Sequence, residues 1–205
     1  MKNKIIKDAL VLTLITLIAG FALGGVYEIT KEPIAKQEAL EKEEAYQQVF
    51  ADAAEFASVE MDESLTKTLQ EALEKEGYRA QTVEEIMEAK DQSGATLGYA
   101  LLMLTSEGYG GDIEFSMGVQ MDGTLNGISI LSIEETPGLG MNADTPAFKN
   151  QFIGKHTEKL GYTKNGDAKE DEINAISGAT FTTNAMTNGV NAGLCVFRVL
   201  EGGES

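Results

Sequence analysis

The chain of 205 residues contains one cysteine, one histidine and no tryptophan, and each shortage removes a class of chemistry. Cys195 has no partner for an intramolecular disulfide, and no cysteine set exists for an iron–sulfur or zinc cluster. His156 alone cannot build a multi-histidine zinc, haem or non-haem iron centre. Any redox chemistry here needs an organic cofactor or a partner, and no metal site is expected. Cys195 falls in an apolar helical pattern and reads as a packed thiol. Positive charge is also scarce, with 16 basic against 33 acidic side chains and a formal charge of −17. Beyond residue 27 the imbalance deepens to 13 against 32, or −19. Such a surface repels phosphate backbones, which argues against nucleic-acid binding, and it stands off anionic headgroups. Solubility and electrostatic docking are both open readings of the charge.

One long uncharged run is present. Ala9 to Tyr27, ALVLTLITLIAGFALGGVY, covers 19 residues. At ~1.5 Å per residue it spans ~28 Å, close to the thickness of a hydrocarbon layer. Lys2, Lys4 and Lys7 precede it, while Glu28, Lys31 and Glu32 follow. The positive flank is expected to stay cytoplasmic, which sends the remainder to the extracytoplasmic side. A cleaved signal peptide is the competing reading. The run exceeds the usual ~7–15 residues and no A-x-A-like site closes it, so a retained anchor is preferred. No cysteine follows, which excludes a bacterial lipoprotein. Gly20 and Gly24 form a GxxxG pair that would admit a second membrane helix. The remaining 178 residues suffice for one domain with a real core.

After the run, Glu32 to about Phe56 is rich in Ala, Glu, Lys and Gln and reads as a helix, with Pro33 tolerated in its first turn. Residues 63–77 read as a second helix, with Leu65, Leu69 and Leu73 on one face and Gly77 as its stop. From Thr82 the period changes to that of strands, predicted at 82–90, 97–105, 113–121 and 124–133. Asp122-Gly123 favours a tight hairpin between the last two. Residues 145–153 and 156–162 are predicted as short helices or loops. A final helix is expected from about Thr183 to Leu200, lined by Met186, Val190, Leu194, Phe197 and Leu200. Helices, a meander of strands and helices again indicate an α+β domain with a mostly antiparallel sheet.

The most informative segment is Asn174-Ala-Ile-Ser-Gly-Ala-Thr180-Phe-Thr-Thr183. Ser177, Gly178 and Ala179 are small and leave the backbone open to close approach. The helix expected after them offers unpaired N–H groups and the positive end of its dipole, both suited to a phosphate. Thr182 or Thr183 is expected to cap that helix. Thr180 then presents a hydroxyl beside an anion site. A turn followed by a cap is the plain alternative. The same four letters recur at Ser93-Gly94-Ala95-Thr96, between two strand-like segments with no helix behind them. Context distinguishes the copies, and Thr96 reads as a strand residue.

Taken in order behind one apolar span, GYGG (108–111), ETPGLG (135–140) and AISGATFTT (175–183) resemble the RnfG subunit of Rnf ion-translocating electron-transport complexes. RnfG is similar to the NqrC subunit of the sodium-pumping NADH:quinone reductase, and both belong to the FMN-binding domain family. The resemblance implies FMN joined by a phosphoester to Thr180, with Ser177 to Thr180 as the recognition segment. A flavin transferase would install it from FAD with a magnesium ion. It also implies that Glu135, Thr136, Pro137, Gly138, Leu139 and Gly140 lie beside the flavin ring. Glycine N–H groups there can reach flavin carbonyls, and Leu139 can cover an aromatic face. GYGG is a second candidate for that role or a strand-linking turn. Family members often carry Asp where this chain has Asn174.

The division implied is a cytoplasmic N-terminus (1–8), a transmembrane helix (9–27), a membrane-proximal helical region (28–80) and an extracytoplasmic FMN-binding α+β domain (81–205). The implied function is electron relay in a membrane complex that couples electron flow between ferredoxin and NAD to ion translocation. Thr180 would be a tether and perform no catalysis. The partners would be the other membrane and peripheral subunits of the Rnf complex. No nucleotide-binding glycine fingerprint is present, so the chain would be one station on a longer path. The alternatives are a free-standing flavinylated carrier, an NqrC-like subunit of a quinone reductase, and a cofactor-free membrane-tethered binding module.

Overall fold

The structure, a computed structural model, describes residues 2–202. Met1 and residues 203–205, the outermost parts of the first and last segments marked out in the sequence, lie outside the described residues. The described chain divides into two compact units, Met1–Glu41 and Lys42–Ser205.

In the first unit, helix α1 (Lys2–Val49) begins and runs without a break, with Pro33 inside it. Its apolar run is exposed on every side, as at Leu10, Phe21, Leu23 and Val26. A helix apolar all round and uncovered by protein is long and apolar enough to cross a membrane.

The second unit is built on one antiparallel meander, in the order β1-β2-β3-β4-β5. Its strands are β1 (Glu55–Ser58), β2 (Gln81–Lys90), β3 (Thr96–Thr105), β4 (Ile113–Gln120) and β5 (Leu125–Ile133). The four strands expected from period-two alternation are there within one residue at each end, and the sequence missed β1. The helix expected to reach Phe56 ends at Val49, because Tyr46, Val49 and Phe50 turn into an apolar cluster with Ala89, Ala100 and Leu102 on one face of the sheet. Ser116 donates to the Ala45 carbonyl at 2.9 Å beneath this contact.

The opposite face carries the main core. Leu101 and Met103 of β3, with Ile113, Phe115, Met117 and Val119 of β4, point there by strand alternation and are fully buried. Each such side chain contributes about 1.5–3 kcal/mol by leaving water. They pack beneath α2 (Glu63–Glu76) and α4 (Thr180–Leu200). Asp62 caps α2 through the Leu65 N–H at 2.7 Å, and Gly77 stops it in the left-handed conformation at φ 90°. Helix α4 buries Met186, Val190, Leu194 and Cys195, so the lone cysteine is a core thiol; burial raises its pKa, with the nearby Glu76 carboxylate adding to the rise.

Between β5 and α4 the chain forms a 3-10 turn (Gly140–Asp144), helix α3 (Pro146–Lys149) and a second 3-10 turn (Asn150–Phe152). The segments expected as helix or loop at 156–162 instead lead into β6 (Gly161–Thr163), which pairs in parallel with β7 (Glu172–Asn174). Strand β7 delivers the chain to the turn that opens α4. The domain is α+β, as the sequence indicated.

Candidate functional site

The segment Ser177–Thr180 is a turn closed by the Ala179 N–H donating to the Ile176 carbonyl at 3.1 Å, with Gly178 in the left-handed region at φ 75°. Helix α4 starts at Thr180 itself, three residues earlier than expected. Ala179 occupies the N-cap position and no side chain caps the helix. The expectation of a Thr182 or Thr183 cap is therefore corrected. Both fall inside the first turn, where the Thr183 hydroxyl accepts the Ile176 N–H at 3.0 Å and donates to the Ala179 carbonyl at 2.9 Å. It pins the preceding turn to the helix rather than closing the helix end. The first helical N–H with a helix-type acceptor is that of Thr183, to Ala179 at 3.0 Å. Those of Thr180, Phe181 and Thr182 have no acceptor among the described residues.

The same three residues line a cleft of about 410 Å³, within the range of about 300–1,000 Å³ usual for small-molecule sites. Of the residues singled out in the sequence, Glu135, Thr136, Leu139, Gly140, Gly178, Ala179, Thr180 and Thr182 line it. Pro137 and Gly138 form the exposed outer bend of the 134–140 loop, Ser177 is exposed outside the lining, and Thr183 is buried. The bend folds back through the Leu139 and Met141 N–H groups, which both donate to the Thr136 carbonyl, at 3.1 and 3.3 Å. Leu139 then reaches the SGAT turn, its Cδ2 lying 2.9 Å from where a Cβ on Gly178 would be.

Glu135 joins the loops. It is 7% exposed and its Oε1 accepts the N–H groups of Tyr109 and Gly110 at 2.7 and 3.4 Å. Gly140 lies against it, because a Cβ there would be 2.5 Å from Glu135 Oε2 and 2.6 Å from Thr182 Oγ1. Only glycine leaves that space open.

Among the lining residues, Phe181 was outside the sequence-derived set, and Tyr109 belongs to GYGG, the second candidate there. Tyr109 and Phe181, 72% and 68% exposed, pair across the cleft mouth with ring centroids 6.0 Å apart. Phe181 had a usable signal, since it falls off the stripe set by Met186, Val190 and Leu194. An aromatic forced to the outer face beside Thr180 asks for a ligand. Tyr109 had only its place among glycines. The second SGAT copy behaves as expected: Ser93-Gly94 turns a hairpin, and Thr96 opens β3 and donates to Glu88. Asn174 is in β7, where its Oδ1 accepts the Ala168 N–H at 3.2 Å, a bond an aspartate oxygen would keep.

Residues 108–194 match the FMN-binding domain family, and residues 1–49 match the RnfG N-terminal region. The G subunit of the Na(+)-translocating ferredoxin:NAD(+) oxidoreductase complex of Acetobacterium woodii is 30% identical, with 96% of this chain and 93% of that protein aligned. The chain belongs to the RnfG family. The G subunit of the proton-translocating ferredoxin:NAD(+) oxidoreductase complex of Clostridium ljungdahlii is also 30% identical, over 99% of this chain and 97% of its own length. Among solved structures, the C subunit of the Na(+)-translocating NADH-quinone reductase of Parabacteroides distasonis shares the fold. It has a TM-score of 0.54 at 20% identity and covers 83% of this chain and 96% of that one. With its FMN-binding domain behind one apolar helix, this RnfG-family chain is a membrane-anchored, single-pass subunit.

Proposed function

We propose that this chain is the flavin-bearing electron-transfer subunit of an ion-translocating ferredoxin:NAD(+) oxidoreductase complex, with FMN held by a phosphoester to Thr180. The observation that carries this reading is the position of Thr180. This exposed residue is the first of α4, whose N-terminus carries no side-chain cap, and it lines the cleft. A phosphate attached there would meet the positive end of a helix of 21 residues. The cleft chemistry fits the ring of FMN as well. Tyr109, Leu139 and Phe181 offer apolar faces, and Gly140 keeps the floor open where any Cβ would fill it.

When bound, FMN supplies the electron-accepting and electron-donating chemistry. The chain's residues do the holding. Thr180 anchors, the N-terminus of α4 balances phosphate charge, and the 134–140 loop shapes the wall. A tether keeps the flavin on the side of the membrane where free FMN is scarce. The apolar helix would place residues 1–8 in the cytoplasm and the flavin domain outside the cell's interior, in the company of the other subunits of the Rnf complex. Maturation requires a flavin transferase, with FAD and magnesium. The test is in-gel fluorescence after denaturation, on chain co-expressed with a transferase. A fluorescent band that disappears in Thr180→Ala and persists in Thr96→Ala is expected. A dark band from the parent chain would favour the cofactor-free binding module.

A further inference from the structure

Two polar side chains at the floor of the cleft are almost wholly buried yet incompletely partnered. Glu135 spends Oε1 on the Tyr109 and Gly110 N–H groups, while Oε2 receives no donor among the described residues. Thr182 is 1% exposed, and its hydroxyl has no hydrogen-bond partner among the described residues. Neither oxygen is sealed off, since Gln81 Oε1 is the one fully buried side-chain oxygen without a partner among the described residues, so both can meet a ligand or an ordered water in the cleft. Both residues line the same cleft, and both oxygens crowd the point where a Cβ of Gly140 would sit. Their chemistry is complementary to one motif. A carboxylate oxygen only accepts, while a hydroxyl can donate. An acceptor beside a donor matches an N–H beside a C=O, the edge of a cyclic imide.

We propose that Glu135 Oε2 and Thr182 Oγ1 are positioning residues that recognise the imide edge of the ring in the cleft, Glu135 accepting its N–H and Thr182 donating to its carbonyl. This rests on the reading that the cleft receives the ring of FMN linked to Thr180. Glu135 is the only charged side chain among the described residues lining the cleft, and Tyr109 the only other titratable one. Two electrons taken up with one proton leave the ring one negative charge richer. With two protons it stays neutral. A carboxylate beside the ring opposes the first outcome and favours the second. The Thr182 hydroxyl acts in the opposite sense, because a donor to the carbonyl favours the electron-rich ring.

The experiment is a potentiometric titration of the full-length, flavin-loaded chain across pH, followed by visible absorption, for the parent, Glu135→Gln and Thr182→Val. Glutamine can still accept the Tyr109 N–H but turns a neutral donor toward the cleft. Valine keeps the shape of threonine without the hydroxyl. Glu135→Gln is expected to raise the midpoint potential and to begin taking up one proton per two electrons at lower pH than the parent. Thr182→Val is expected to lower the midpoint. Shifts of opposite sign are not produced by general loosening of the fold, and Thr182→Val remains readable if Glu135→Gln folds poorly. Flavin-bearing variants with the parent's midpoint and proton count overturn this inference alone. A parent chain whose mass shows no flavin overturns the reading beneath it as well.

Discussion

The Glu135 carboxylate accepts the backbone N–H of Tyr109 at 2.7 Å, across 26 positions of sequence. This bond makes a single wall of two loops that the sequence places far apart. Glu135→Ala removes a charged acceptor from two N–H groups and is expected to lower unfolding stability by about 1.5–3 kcal/mol. Urea denaturation of residues 42–202 within the full chain checks this. An unchanged midpoint would mean that the two loops hold their places independently.

Gly140 should tolerate no side chain. A methyl group would lie within 2.7 Å of Glu135 Oε2, Glu135 Cβ and Thr182 Oγ1. Gly140→Ala is therefore expected to cost about 1–3 kcal/mol through overpacking and to reduce the fraction of chain that carries flavin. Thermal melting and the absorbance ratio of flavin to protein measure the two effects separately.

Tyr109 and Phe181 are exposed, so truncating either should change stability by no more than about 0.5 kcal/mol. Their effect is expected on the flavin. Tyr109→Ala removes an electron-rich ring from the cleft mouth and should raise the flavin fluorescence yield in the native protein, with no change after denaturation. Equal native yields in parent and variant would place the ring elsewhere.

Acid and base should act oppositely on one patch of the sheet. Burial pushes the Glu85 carboxyl up, but hydrogen bonds from Lys42 and from Tyr46 at 2.8 Å outweigh it and hold its pKa below the ordinary value. A depressed carboxyl stabilises the fold above its unfolded value of about 4.3 and loses that contribution as pH falls through the folded value. Glu114 is raised, by burial first and then by the charge of Glu84. Its protonated form is favoured in the fold, so its contribution is lost as pH rises through the folded value. Glu114→Gln is expected to stabilise the domain at neutral pH and to be neutral in acid below the unfolded carboxyl value. Glu85→Gln should destabilise at neutral pH and flatten the loss of stability on acidification. Melting temperatures across pH read both signs.

Legibility in the sequence followed the length and regularity of each signal. Strands β2 to β5 run for eight to ten residues, long enough for a strand pattern to show. Strands β6 and β7 have three residues each, too few for any period, and their pairing depends on contacts distant in sequence. Strand β1 lay in an alanine-rich stretch that continued the composition of α1. What ends that helix is the docking of Tyr46 and Phe50 on the sheet, a tertiary event. At the site, the SGAT turn and the helix behind it were visible. The cap was misassigned because threonine's preference for N-caps is a local rule, whereas Thr183 is committed to the Ile176 N–H of the incoming chain. The link between Tyr109 and Glu135 left no local trace at all.

The most direct measurement is peptide mass mapping of full-length chain purified after co-expression with an active flavin transferase, across residues 165–198. The account predicts a peptide heavier by one FMN less one water, with the added mass on Thr180 and absent from the peptide that holds Thr96. A peptide at its unmodified mass, or a flavin found on any other residue, would contradict it.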